Sequence, residues 1–442
     1  MKKLLFFLIL FYSALFLRAQ EEEVENIPIK EPFRFKNRMV ELSVVNVNLN
    51  VSNSFIAIGD VFESPFYMLG NINDIKDDPV LAYKNPVVIN LDDFFSGYKF
   101  ILGTGIKPFS LNFNWKDKWG FGLDVAHISV TGNVALAEEL LSLKEARNEK
   151  FNMGMAAYVD VGIPIFFHYD DFKIKIRPAV YMPLIYTRPT ITYTYKKEYK
   201  NPETGAEGSY LEVDYDMRVY SLVDMQQDDI LQSLTDEAWN IPRNNLGYDF
   251  GLSVEYPWSY NLDIGVDIVN IPVPYATARL NHYTQLSGSM MVDTSRLDID
   301  EVMDGDISKH AYNFKHNKQT YGYNSAGQKV YRPFSMLFYA DYRPYDSRIL
   351  SLIPSLGFSI NSLYNEPGSV EGGLSARIDL ANIFITTLGI NYNDRAWKNS
   401  IDFVLNLRAF QLDLGLSSQA PTLVKSWQGA GVGVNFGMKF GW

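Results

Sequence analysis

Five histidines, His127, His168, His282, His310 and His316, are the side chains best able to bind a metal or move a proton. Their spacing supports neither role. None forms a His-Glu-x-x-His run, and none has the acidic neighbours of a metal box. Gly103-Thr104-Gly105 is followed by no Lys-Ser/Thr pair, so it is not a phosphate loop. Glycine in a strand is better explained by a bend or close packing. No Gly-x-Ser-x-Gly occurs, and a serine hydrolase would need a Ser–His pair assembled only in space. The expectation is a protein with no catalytic residues, no metal site and no cofactor, and not an enzyme.

The charged residues that carry a pattern lie in alternating segments. Lys173, Lys175 and Arg177 alternate with Phe172, Ile174 and Ile176. Asp263 and Asp267 alternate with Leu262, Ile264, Val266 and Ile268. Arg377 and Asp379 face away from Ile378 and Leu380, Asp402 away from Ile401 and Phe403, and Asp413 away from Leu412 and Leu414. Asp124, Asn406, Arg408 and Lys439 follow the same rule. A strand places alternate side chains on opposite faces, so each segment has one apolar and one polar face. If the apolar face meets lipid, these charges point inward, because charge on a lipid face is costly. Inside, they either pair with one another and fill a closed lumen, or line a hydrated path or a socket for a plug.

The carboxyl-terminal segment has the clearest alternation. Val432, Val434, Phe436, Met438, Phe440 and Trp442 share one parity; Gly431, Gly433, Asn435, Gly437, Lys439 and Gly441 share the other. Aromatics form 14% of the chain and hydrophobic residues 47%, dispersed by alternation rather than gathered in blocks. Trp115 and Trp119 bracket one polar turn, and Tyr256 to Tyr260 and Asn393 to Asn399 form others. Such brackets belong where a hairpin leaves an apolar membrane band. Val134 to Asn148 and Asp224 to Trp239 have helical spacing, and Ser287 to Lys329 reads as a long polar loop. These place short helices and long loops at one mouth of a barrel.

Lys2, Lys3 and the apolar run Leu4 to Leu17 form a secretory signal, with Ala19 before the cleavage point and Gln20 after it. There is no cysteine, which excludes a disulfide framework, thiolate metal sites and a lipid-modified cysteine. The net charge of −11 argues against nucleic acid as a partner.

Together these features resemble bacterial outer-membrane β-barrel proteins. The fold class expected is all-β, a transmembrane antiparallel barrel of about fourteen strands with a plug-like amino-terminal segment. Phe436, Met438, Phe440 and Trp442 look like the assembly signal such proteins present to the barrel-assembly machinery. Tyr83-Lys84-Asn85-Pro86-Val87 resembles the hatch motif of the long-chain fatty-acid transporter family, with Val87 where that family has Ala. The resemblance implies a signal peptide over 1–19, a possible hatch over 20–97 and a barrel over 98–442. It implies an outer-membrane location in a diderm bacterium, contact with outer-membrane lipid, and diffusion of small hydrophobic compounds. Pro164, Pro178 and Pro183 are candidate kinks for a lateral opening. A structural or adhesive barrel acting through its outer loops is the competing expectation.

Overall fold

The computed structural model describes residues 39–53, 98–115, 118–136, 146–187, 190–200, 207–224, 245–273, 277–293, 311–344, 349–360, 369–393, 396–407, 409–420, 423, 425–428 and 431–441. Regular structure among them is β-strand, apart from one 3-10 turn at Lys425–Gln428.

The chain enters the sheet at β1 (Val40–Asn53). β2 (Tyr98–Lys107) and β3 (Phe109–Trp115) then run end to end across Pro108, both alongside β4 (Trp119–Leu136). β5 (Ala146–Gly162) and β6 (Ile165–Tyr169) are likewise collinear, as are β7 (Phe172–Thr187) and β8 (Thr190–Lys200). Three further collinear pairs follow. They are β9 (Glu207–Ser221) with β10 (Gly247–Ser259), β11 (Leu262–Pro272) with β12 (Ala278–Asp293), and β13 (Ala311–Val330) with β14 (Phe334–Tyr342). β7 pairs with both members of the first, β10 with β11 and β9 with β12, and the third pair lies beside the second.

Six single strands complete the wall. β15 (Leu350–Ile360), β16 (Ser369–Leu380) and β17 (Phe384–Asn393) come first. β18 (Ala396–Asn406), β19 (Phe410–Ala420) and β20 (Gly431–Gly441) follow. All pairings are antiparallel, and β20 pairs with β19 on one edge and β1 on the other, so the sheet closes into a barrel. Closure leaves no edge to aggregate and satisfies the backbone within the wall.

Turns at one end are tight. Leu407 and Phe410 exchange backbone hydrogen bonds of 2.7 and 3.3 Å in a minimal reversal. Asp170, Ala381 and Asn382 take the left-handed conformations (φ 50°, 57° and 56°) that close two others. The second aromatic-flanked turn has its tip at Tyr260 and Asn261, between β10 and β11. Trp115, Trp119, Tyr169, Trp258 and Tyr260 are exposed around this end as an aromatic girdle. Between the girdle and the other rim the outer face is apolar: Phe338, Leu356, Leu374, Leu388, Leu414 and Leu416 are all exposed. No helix among the described residues is long and apolar enough to cross a membrane. An exposed apolar band of this extent is larger than a surface in water ordinarily carries.

Several expectations are corrected. The barrel begins at Val40 rather than at residue 98, because Asn46, Asn48 and Asn50 alternate with Val47, Leu49 and Val51 as in any later strand. Residues 54–97, with Asn85 and Pro86, lie outside the described residues. They connect β1 to β2, whose ends Asn53 and Phe100 stand opposite each other, and so do not precede the barrel. Val134–Leu136 and Ala146–Asn148 are strand, not helix, because pairing to β2 and β8 overrides helical spacing. Residues 137–145 and 225–239, the remainder of the two expected helices, are not described. Ser287–Lys329 is not simply a loop: β12 and β13 pair as far as Val292 opposite Ala311. Antiparallel pairing satisfies these polar strands without an apolar face.

β20 closes the barrel with Val432, Val434, Phe436 and Phe440 exposed and Met438 half-buried, while Lys439 is buried and Asn435 half-buried. Deleting Phe440 to Trp442 removes the last rungs on both neighbours and is expected to cut membrane-inserted, heat-modifiable protein severely. Electrophoretic mobility with and without boiling checks this, and normal insertion of the truncated chain would contradict it.

Candidate functional site: a charge lattice in the barrel interior

The buried parity of the wall carries the polar side chains. At one level, Asp124 on β4, Gly162 on β5, Ala179 on β7 and Asp249 on β10 stand opposite one another in succession. Around this level runs a chain of alternating charge. Lys107 lies 3.7 Å from Asp124, whose other contact is Arg177 Nε at 2.9 Å. Arg177 Nη2 reaches Asp160 at 2.6 Å. Asp160 also forms an ion pair with Arg332 Nη1 at 2.9 Å and contacts His127 Nδ1 at 2.8 Å. Arg332 Nε then donates to Asp249 at 2.7 Å, with Nη2 on the same carboxylate. This fork-to-carboxylate geometry is the strong form of the interaction.

Gly162 makes the lattice possible. A Cβ there would lie 2.5 Å from the Arg177 guanidinium, so the bare backbone lets that group lie across β5 toward both carboxylates. Gly265 serves Tyr339 in the same way, with 2.2 Å between a Cβ and the ring. Tyr339 Oη donates to Glu255 at 3.1 Å, and Lys173 pairs with the other oxygen of that carboxylate. Further round, Arg343 pairs with Asp263, and Arg377 donates to Asp341 at 2.6 Å and to Ser351 at 3.1 Å. Lys439 stands 3.7 Å from Asp413, which also accepts from Gln411 at 2.5 Å.

Beside the lattice lies an apolar cluster facing the same interior: Ala156, Tyr158, Tyr181, Tyr186, Ala278 and Leu280, with Leu222, Val223 and Val330. Tyr158 and Tyr181 meet edge to face at 6.3 Å, and Arg332 lies 5.3 Å from the Tyr181 ring centre. The arrangement offers paired charge, aromatic surface and hydrogen-bonding hydroxyls. Among the described residues no cluster of His, Asp and Glu has the form of a metal site.

The candidate residues from sequence fall as follows. Asp124, Lys173, Arg177, Asp263, Arg377, Asp413 and Lys439 join ion pairs in the interior. Asp267 accepts from Ser253 and Lys175 is half-buried on β7. Asp402 is half-buried beside Gly415, and Asp379 caps a turn by accepting from the Asn382 amide at 2.7 Å. Arg408 and Trp442 are not among the described residues. Of the candidate kinks, Pro164 sits at the β5–β6 join and Pro183 beside a bulge, whereas Pro178 lies in unbroken pairing with β10. Sequence reasoning missed His127, Asp160, Asp249, Glu255, Arg332 and Asp341. Asp160, between Val159 and Val161, carries the same alternating signal as the residues it pairs with. Arg332 lies between strands and carries no periodic signal.

No protein-family profile matches the sequence, and no curated protein matches it. Among solved structures, the chain is similar to the P. putida toluene transporter TodX, at a TM-score of 0.45 and 7% identity over 96% of each chain. It is similar to a Pseudomonas aeruginosa FadL homologue at a TM-score of 0.37 and 8% identity, covering 91% of this chain and 89% of that one. The translocator domain of the Neisseria meningitidis autotransporter NalP follows at 0.32 and 6%, covering 94% and 92%. Likeness at this level transfers neither a family nor a cargo.

Asp160→Asn removes the carboxylate that joins two arginines, and breaking a buried pair costs roughly 3 kcal/mol or more. Asp379→Asn, at a half-exposed turn, is expected to cost under about 1 kcal/mol. Urea unfolding of both variants in lipid vesicles, followed by tryptophan fluorescence, checks the difference.

Proposed function

We propose that the chain is an outer-membrane channel through which small apolar compounds cross by diffusion, without covalent chemistry. The observation that carries this reading is an inward-facing cluster of tyrosines and aliphatic residues, Tyr158, Tyr181, Tyr186, Leu222 and Leu280, beside the interior charge lattice. An apolar solute needs such a surface along its path, because a wholly charged lumen would reject it. The collinear joins support a count of fourteen continuous staves when each joined pair is taken once. Eight strands already enclose a side-chain-filled interior, so a wall of this size has room for a solute path. The signal-like start and aromatic end of the sequence support export and handling by the barrel-assembly machinery.

Liposome swelling with sugars, and uptake of a fatty acid or toluene by cells lacking their own transporter, test this reading. Uptake of the apolar compound with little sugar permeation is expected. Folded protein that passes neither would contradict it.

A second reading, a barrel that binds neighbouring surfaces, is favoured by the unequal rim. β12 and β13 pair up to Val292 and Ala311, whereas β14 and β15 part at Phe334 and Ile360. Exposed Asp214, Asp216 and Arg218 line the taller side. Replacing Ser287–Lys329 by a short turn would abolish surface binding and spare assembly on that reading; unchanged binding would reject it.

A further inference from the structure

The link between β13 and β14 does not follow the wall. The Tyr331 carbonyl accepts from Tyr158 Oη of β5 at 3.1 Å, and the Val330 carbonyl from Tyr181 Oη of β7 at 2.9 Å. Arg332 reaches Asp160 of β5 and Asp249 of β10, and the Pro333 carbonyl accepts from Asn270 of β11 at 2.7 Å. Along the sheet, β5 is separated from this link by the β7–β8, β9–β10 and β11–β12 staves. Two of those staves are interrupted at this level, where β12 also approaches β7. The link meets inward-facing phenols of β5 and β7 and carboxylates of β5 and β10, so it is held from the interior side rather than by one neighbouring strand.

The link is also independent of the ladder. Val330 is the last β13 residue paired with β12, opposite Ala278, and Ser335 is opposite Val269 of β11. Tyr331, Arg332 and Pro333 have no ladder partner in either pairing. The neighbouring staves are interrupted beside it, between Ser221 and Gly247 and between Pro272 and Ala278. None of Tyr331, Arg332 and Pro333 is a rung of the β11–β14 or β12–β13 pairing, so the interior bonds named above bear on the position of the link.

We propose that Tyr331–Pro333 is a strap across the lumen, and that Arg332 is the latch holding the channel closed on this side. The claim rests on the channel reading and adds the residue that controls passage. Arg332 is 8% exposed, held between Asp160 at 1% and Asp249 at 4%. Removing the guanidinium takes the fork from Asp249 and one of two arginines from Asp160, which keeps Arg177 and His127, so the change unties the strap and leaves the Asp249 carboxylate buried without its fork.

The absence of cysteine makes the test specific, since Arg332→Cys carries the only thiol in the chain. In planar bilayers, this variant and Asp249→Asn should raise open-state occupancy roughly tenfold over the parent. Modification of the new thiol by an ethylammonium methanethiosulfonate restores a cation and should close the channel again; the ethylsulfonate reagent should not. Heat-modifiable mobility selects folded protein. Strap motion is read separately from transport by the rate at which a polar maleimide labels Pro333→Cys, which should rise when Asp249→Asn is added. Unchanged labelling and unchanged conductance in folded variants would overturn the latch. Faster labelling with no conductance in any variant would instead overturn the channel reading, and gating with it.

Discussion

On the outer-membrane reading, a backbone surrounded by lipid has no water to satisfy its amides and carbonyls, and this constraint organises everything else in the molecule. The chain meets it by pairing each strand with two neighbours and closing the sheet through β20 and β1. Closure turns a local rule, alternation, into a global one: every strand must present the same parity outward. Leu356, Leu374, Leu388, Leu414 and Val434 are exposed on different strands because a one-residue slip in any of them would send charge into lipid.

The interior faces the opposite problem. Charges removed from bulk water must find partners, and they do so in a sequence of alternating sign from Lys107 through Asp124, Arg177, Asp160 and Arg332 to Asp249. Asp160 is the hub, since it pairs with two arginines and contacts His127. Glycine on the adjacent strand gives the long side chains room to lie along the wall, as Gly162 does for Arg177. The tyrosine cluster beside the lattice replaces paired charge with apolar surface while its hydroxyls still bond to carbonyls. On the proposed channel reading, structure and passage draw on the same residues.

β16, β18, β19 and β20 are the most legible strands in the sequence, because their faces follow the alternation most simply. β1 has the same alternation, but the long connection of residues 54–97 parts it from its first neighbour. Val134 to Asn148 has helical spacing at its ends, yet hydrogen bonding to β2 and β8 keeps those ends extended. Half of the charge lattice follows from parity: Asp124 and Arg177 are inward by counting. Asp160 carries the same signal, but Arg332 does not, since it belongs to a link whose path depends on strands far away in sequence. Periodicity tells which face a residue takes, and only the closed sheet tells which charge it meets.

The account depends most on β20 presenting one parity to lipid and the other to the interior. Single cysteines at each position from Val432 to Lys439, carrying a fluorophore in reconstituted vesicles, test this with a quencher attached to lipid tails. Quenching at Val432, Val434, Phe436 and Met438, alternating with protection at Gly433, Asn435, Gly437 and Lys439, is the predicted result. Uniform quenching, or none along the strand, would contradict a closed barrel with a lipid-facing exterior.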